Sequence, residues 1–152
     1  MDRRVLAACI LMSVSTAFAG AWDTGPFDND DALDWVWELA ESDDLSVIET
    51  ALQAAAAESG YLEAPTASTA IAAAEVVAAL RDSSRPGLPT EVLDWVKAHP
   101  LAVGDDLVKT ARKAIENIKR EDSSELAQLW SDSEEMAKAW RTGLNDLLQR
   151  LE

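Results

Sequence analysis

A chain of 152 residues with a formal net charge of -15, one histidine and one cysteine fits one domain. Its core is large enough to need no disulfide or metal staple. Such acidity repels nucleic-acid phosphates and anionic lipid headgroups and favours encounter with cationic surfaces. A nucleic-acid binder is therefore excluded, and a basic protein is the kind of partner the charge admits.

The chain opens with Arg3 and Arg4, continues through the apolar run "VLAACILMSV" (residues 5–14) and reaches "STAFA" (residues 15–19). A basic start, an apolar stretch and small residues at Ala17 and Ala19 form the layout of a secretory signal, with cleavage expected between Ala19 and Gly20. The apolar run falls short of the roughly 20 residues a spanning helix needs, so no membrane insertion is expected after cleavage. "LAAC" at residues 6–9 resembles a lipoprotein box, but Cys9 follows too few apolar residues. Arg3-Arg4 resembles a twin-arginine signal with too short a basic region, which favours the general secretory route. The expected organisation is a signal at residues 1–19 and an exported domain at residues 20–152, placed in the periplasm or outside the cell. Cys9 leaves with the signal, so the domain has no thiol chemistry and no disulfide.

No segment alternates with period two, and glycine and proline fall between runs of helical period, which predicts an all-α fold. The expectation is a single compact domain of about six helices. Gly25-Pro26 is turn chemistry, Asp28 is placed to N-cap the first helix with Asp31 reaching back, and Phe27 can staple onto the first turn. Trp22, close to the expected new terminus, would fasten that end by burying its indole. The first helix, near residues 30–42, groups Ala32, Leu33, Trp35, Val36, Leu39 and Ala40 on one stripe, with Asp31, Asp34, Glu38 and Glu41 opposite. The second follows "SDD" (residues 42–44) and runs to Gly60 as a C-cap. The third, near residues 66–82, is apolar nearly all round and should be central. "SSRPGLP" (residues 83–89) is a loop, and a short fourth helix from Thr90 to His99 stops at Pro100. A fifth spans residues 105–120. "DSSE" (residues 122–125) opens a short helical turn through Leu126, Leu129 and Trp130. "SDSEE" (residues 131–135) caps a last helix whose stripe is Met136, Ala137, Trp140, Leu144, Leu147, Leu148 and Leu151.

Candidate chemistry is sparse. Glu75 is the one carboxylate in the apolar stretch 70–80 and should be buried, where it must be paired, hydrogen-bonded or neutral. A structural lock, accepting from an indole, an amide or an arginine, is the first reading of it; a general acid or base is the second. Trp37 sits at the margin of the first helix's apolar stripe, where an indole covers the core edge or anchors a partner. Asp28, Asp30, Asp31 and Asp34 crowd the start of the same helix, where carboxylates complement the helix dipole. With Trp37 they form the candidate binding residues. His99 ends a short helix and complements its C-terminus. One histidine and no thiol in the mature domain leave no nitrogen or sulfur metal site and no His-dependent nucleophile. The acidic cluster lacks calcium-loop spacing, and no Gly-rich phosphate loop occurs, so no metal and no cofactor is expected.

Four stretches, "GAWDTGPFDNDDALDW" (residues 20–35), "YLEAP" (61–65), "AAAEVVAAL" (72–80) and "SELAQLW" (124–130), together resemble the bacterial domain-of-unknown-function family 4259. Members of that family begin with Gly-Ala-Trp-Gly directly after the initiator methionine; here Asp23 stands in place of the last glycine and a signal precedes the domain. The resemblance implies a small helical domain and brings no assigned activity. The residues themselves leave two functional expectations. One is a non-enzymatic binding or inhibitor-type protein whose acidic surface docks on a basic partner. The alternative is a carboxylate-dependent hydrolase using Glu75 with Asp28 or Asp31 on an envelope or extracellular substrate.

Overall fold

The structure is a computed structural model describing residues 23–82 and 87–152. The signal segment, its Ala19–Gly20 junction, Trp22 and residues 83–86 of the expected loop lie outside the described residues. Seven helices occur among those described: α1 (Asp30–Ala40), α2 (Ser46–Ala56), α3 (Ala64–Arg81), α4 (Thr90–Ala98), α5 (Asp105–Ile118), α6 (Glu125–Trp130) and α7 (Glu134–Arg150). The short turn opened by "DSSE" is a helix of its own, α6, which brings the number to seven.

The third helix is central. Every residue from Ala70 to Ala79 is buried, and α3 packs against each of the other six helices. Alanine at 70, 72, 73, 74, 78 and 79 makes this possible, because small side chains let neighbouring helix axes approach closely and alanine is the strongest helix former. The helix begins at Ala64, earlier than its proline suggests. Pro65 sits in the first turn, where its missing N–H costs nothing. The orphan amide of Ala64 is met from far away in sequence, by Glu125 Oε2 at 2.6 Å. That contact belongs to a small clamp: Leu62 N donates to Ser123 O at 2.8 Å and Glu125 N donates to Leu62 O at 2.9 Å, so the entries to α3 and α6 are tied together.

Helix ends account for the other departures from the sequence pattern. Asn29, not Asp28, caps α1: its backbone is extended (φ -156, ψ 156) and its Oδ1 accepts from Ala32 N at 2.8 Å. Asp28 is taken up by the preceding turn, where its amide donates to Gly25 O at 3.1 Å. Its carboxylate lies so close over Gly25 that a Cβ there would collide with it. Gly60 does not cap α2, which ends at Ala56. The last carbonyls of α2 are met instead by Asn117 of α5, whose Nδ2 donates to Ala55 O at 3.0 Å and Ala56 O at 3.2 Å. A side chain in trans thus does what a left-handed glycine would otherwise do.

Candidate functional site

Two places concentrate polar chemistry, one inside and one outside. Inside, Glu75 on α3 is 2% exposed and accepts from an Arg150 guanidinium nitrogen at 2.7 Å, reaching from the end of α7. A cavity adjoins the carboxylate, walled by Ser68 and Ile71 of α3, Trp130 of α6, Trp140 of α7, Asn29 and the Asp23–Pro26 turn, with a free volume of ≈ 50 Å³. Pockets that hold organic substrates run to roughly 300–1,000 Å³, so this space suits a small group or a few waters. Asp28 and Asp31 do not line it. The carboxylate pairing that a hydrolytic reading calls on is not assembled here.

His99 is likewise engaged in structure. It is the C-cap residue of α4, its ring stacks on Trp95 with centroids 4.6 Å apart, and its Nδ1 lies 2.9 Å from Trp95 O. Its Nε2 is 3.5 Å from Asp43 Oδ1, and Trp95 Nε1 donates to Ser42 O at 2.8 Å. The cluster pins the α1–α2 connection onto α4.

Outside, α1 buries Ala32, Trp35, Val36 and Leu39, while Leu33 is half-buried and Ala40 exposed. The buried stripe is therefore narrower than the apolar one, and its centre is turned away from Trp37. That indole is 64% exposed; it does not sit on the core margin. Asp30, Asp34, Trp37 and Glu41 follow one another at i, i+4, i+7 and i+11 and lie within about 60° on the helix surface, all exposed. Glu38 adjoins them. None of these four carboxylates forms an ion pair with a lysine or arginine among the described residues. Asp31, half-buried at the side of the stripe, has its carboxyl pushed above the usual range, first by burial and then by the charges of Asp34 and Asp30. The face brings together Asp30, Asp34 and Trp37, adds Glu38 and Glu41, and leaves Asp28 apart in its turn. Glu41 is found in the sequence by stepping four residues from Trp37, once the indole is known to face outward.

Residues 20–143 match the family described as a domain of unknown function, DUF4259. The chain belongs to that family. No curated protein and no solved structure matches it. The DUF4259 match takes in α1 with its acidic face and Glu75 on α3, and it stops within α7 at Gly143, before the arginine that pairs with Glu75. Among the described residues no helix is long and apolar enough to cross a membrane, and no three His, Cys, Asp or Glu side chains cluster as a metal site.

Beside the α1 face the DUF4259 domain carries a groove of ≈ 420 Å³, bounded by Trp35 and Glu38 of α1, Val47, Thr50 and Ala54 of α2, and Pro65 and Thr66 of α3. Chemically, an exposed indole among uncompensated carboxylates is suited to recognising a cation. The carboxylates supply charge and paired acceptors, and the ring supplies a negative face and contact area.

Proposed function

We propose that this protein is an exported, non-enzymatic binding or inhibitor-type protein that docks the outer face of α1 on a basic protein. The observation that carries the reading is Trp37, a large indole left 64% exposed on a helix face whose other members are carboxylates. Aromatic anchors surrounded by polar groups dominate binding energy in protein interfaces. An arginine or lysine set over the ring gains about 0.5–1 kcal/mol exposed and more once desolvated. Long-range attraction from the net charge raises the encounter rate with a cationic partner and fades with salt. Export is supported by the signal layout of residues 1–19, ahead of a DUF4259 match that starts at residue 20. The test is affinity capture from envelope and extracellular fractions with wild type beside Trp37→Ala and Asp34→Lys. A basic protein should be retained by wild type, lost from both variants and released by moderate salt. Retention unchanged in both variants would remove α1 as the docking face.

A further inference from the structure

We infer that the groove beside α1 receives apolar side chains of the same basic partner, so that the partner presents a cationic amphipathic segment; this rests on the docking role proposed above. Three observations carry it. First, the groove's volume of ≈ 420 Å³ lies in the range of roughly 300–1,000 Å³ that bound organic groups occupy. Second, its lining is more apolar than polar: Trp35, Val47, Ala51, Ala54 and Pro65 stand beside Ser46, Thr50 and Thr66, and the Thr69 hydroxyl is turned to its own helix, donating to Pro65 O at 2.8 Å. Third, Glu38 stands at its edge, one helical turn from Asp34 of the acidic face, and no lysine or arginine lines it. Groove and acidic stripe therefore adjoin through Glu38, which gives the groove an anionic edge on the α1 side. An acidic segment is repelled by that edge, and a purely polar cationic segment leaves the apolar lining wet. A helix with apolar residues at i, i+3 or i+4, and i+7, and lysines or arginines alongside, satisfies both parts at once.

Two synthetic peptides of equal length and lysine content test this, one with leucines at the i, i+4 and i+7 positions and one with serines there. Binding is measured by fluorescence anisotropy on the purified protein, on Ala54→Trp, which fills the groove, and on Asp30→Lys/Asp34→Lys. The leucine peptide should bind wild type at least about tenfold more tightly, the gain expected from burying one leucine. That advantage should vanish in Ala54→Trp while serine-peptide affinity is unchanged, and both peptides should be lost from the lysine double variant. Equal binding of the two peptides, or an advantage that survives Ala54→Trp, overturns the groove inference and leaves the docking role standing. Binding of neither peptide overturns both. Circular dichroism checks that each variant is folded. Should Ala54→Trp fail to fold, Thr50→Trp, a neutral bulky change at an exposed groove position, gives the same discrimination.

Discussion

Removing the Glu75 carboxylate tests how the core is fastened. The carboxylate is 3% exposed and its Arg150 partner 27%, with donor and acceptor 2.7 Å apart. Breaking a fully buried pair costs about 3–5 kcal/mol, and a hydrogen bond to a charged group is worth about 1.5–3 kcal/mol. Arg150 is partly in contact with water and can rotate outward when its partner is lost, so the lower range applies. Glu75→Ala should destabilise the fold by about 1–3 kcal/mol, and Glu75→Gln, which keeps an acceptor in the same place, by about half of that. In a domain of this size each kcal/mol moves the melting temperature by about 2–4 °C. Urea denaturation followed by tryptophan emission is the direct assay, since Trp130 and Trp140 wall the cavity that adjoins the carboxylate. A cycle with Arg150→Met isolates the coupling between the two side chains. Midpoints of Glu75→Ala and Glu75→Gln both within about 0.5 kcal/mol of wild type, the range of ordinary surface substitutions, would refute the lock. The assignment of α7's end to this carboxylate would fall with it.

Three further outcomes are expected. Mass spectrometry of native protein should find an amino terminus at Gly20 in the periplasm or medium; soluble cytoplasmic protein with Met1 intact would refute export. EDTA and dithiothreitol should leave the melting temperature unchanged, because the sequence after Cys9 has no thiol and no ligand set converges among the described residues; a large fall with EDTA would expose a bound cation. Asp31→Asn should be more stable than wild type at neutral pH, because burial first, and the charges of Asp34 and Asp30 after it, disfavour the ionised carboxyl; the Asp34 pair alone is worth about 0.2–0.5 kcal/mol. The folded-state carboxyl of Asp31 is raised, so its penalty is absent below the unfolded value and grows as pH rises through the folded one. The variant's advantage should therefore disappear by about pH 3, and a constant difference across pH would refute the assignment.

Helical period and turn chemistry place six helices and the short turn that is α6, and the run of residues 70–80, apolar except for Glu75, marks α3 as the centre. Periodicity carries that much because burial on one face leaves a one-dimensional trace. Helix ends are less legible. Asp28 and Asn29 are both good caps by type, and which one serves depends on whether the turn at Gly25 claims the other. Gly60 has the residue type of a C-cap, yet α2 is ended by Asn117, a residue distant in sequence that no local rule reaches. The partner of Glu75 is hidden for the same reason: among arginines that could bridge to α3, only the fold selects Arg150. Trp37 shows the limit of a stripe drawn from apolar residues alone. Leu33 and Ala40 widen the apparent face toward the indole, but neither is fully buried.

The distribution of polar groups bears on where function can reside. Inside, polar side chains are committed to helix ends and ties: Asn29 to the start of α1, Glu125 to the start of α3, Asn117 to the end of α2, and Arg112 to Leu148 O near the end of α7. His99 and Trp95 hold the α1–α2 connection. A group whose loss would loosen the fold is poorly placed to change its bonding during a reaction, because each turnover would then disturb a helix end. The outer face of α1 has no such duties, and there Asp30, Asp34, Glu38 and Glu41 set like charges side by side. Repulsion of that kind is relieved when a cation arrives. In the proposed docking role, a partner carrying positive charge would gain from the neutralisation as well as from contact with Trp37, and discrimination between cationic partners would fall to the shape of the adjoining groove.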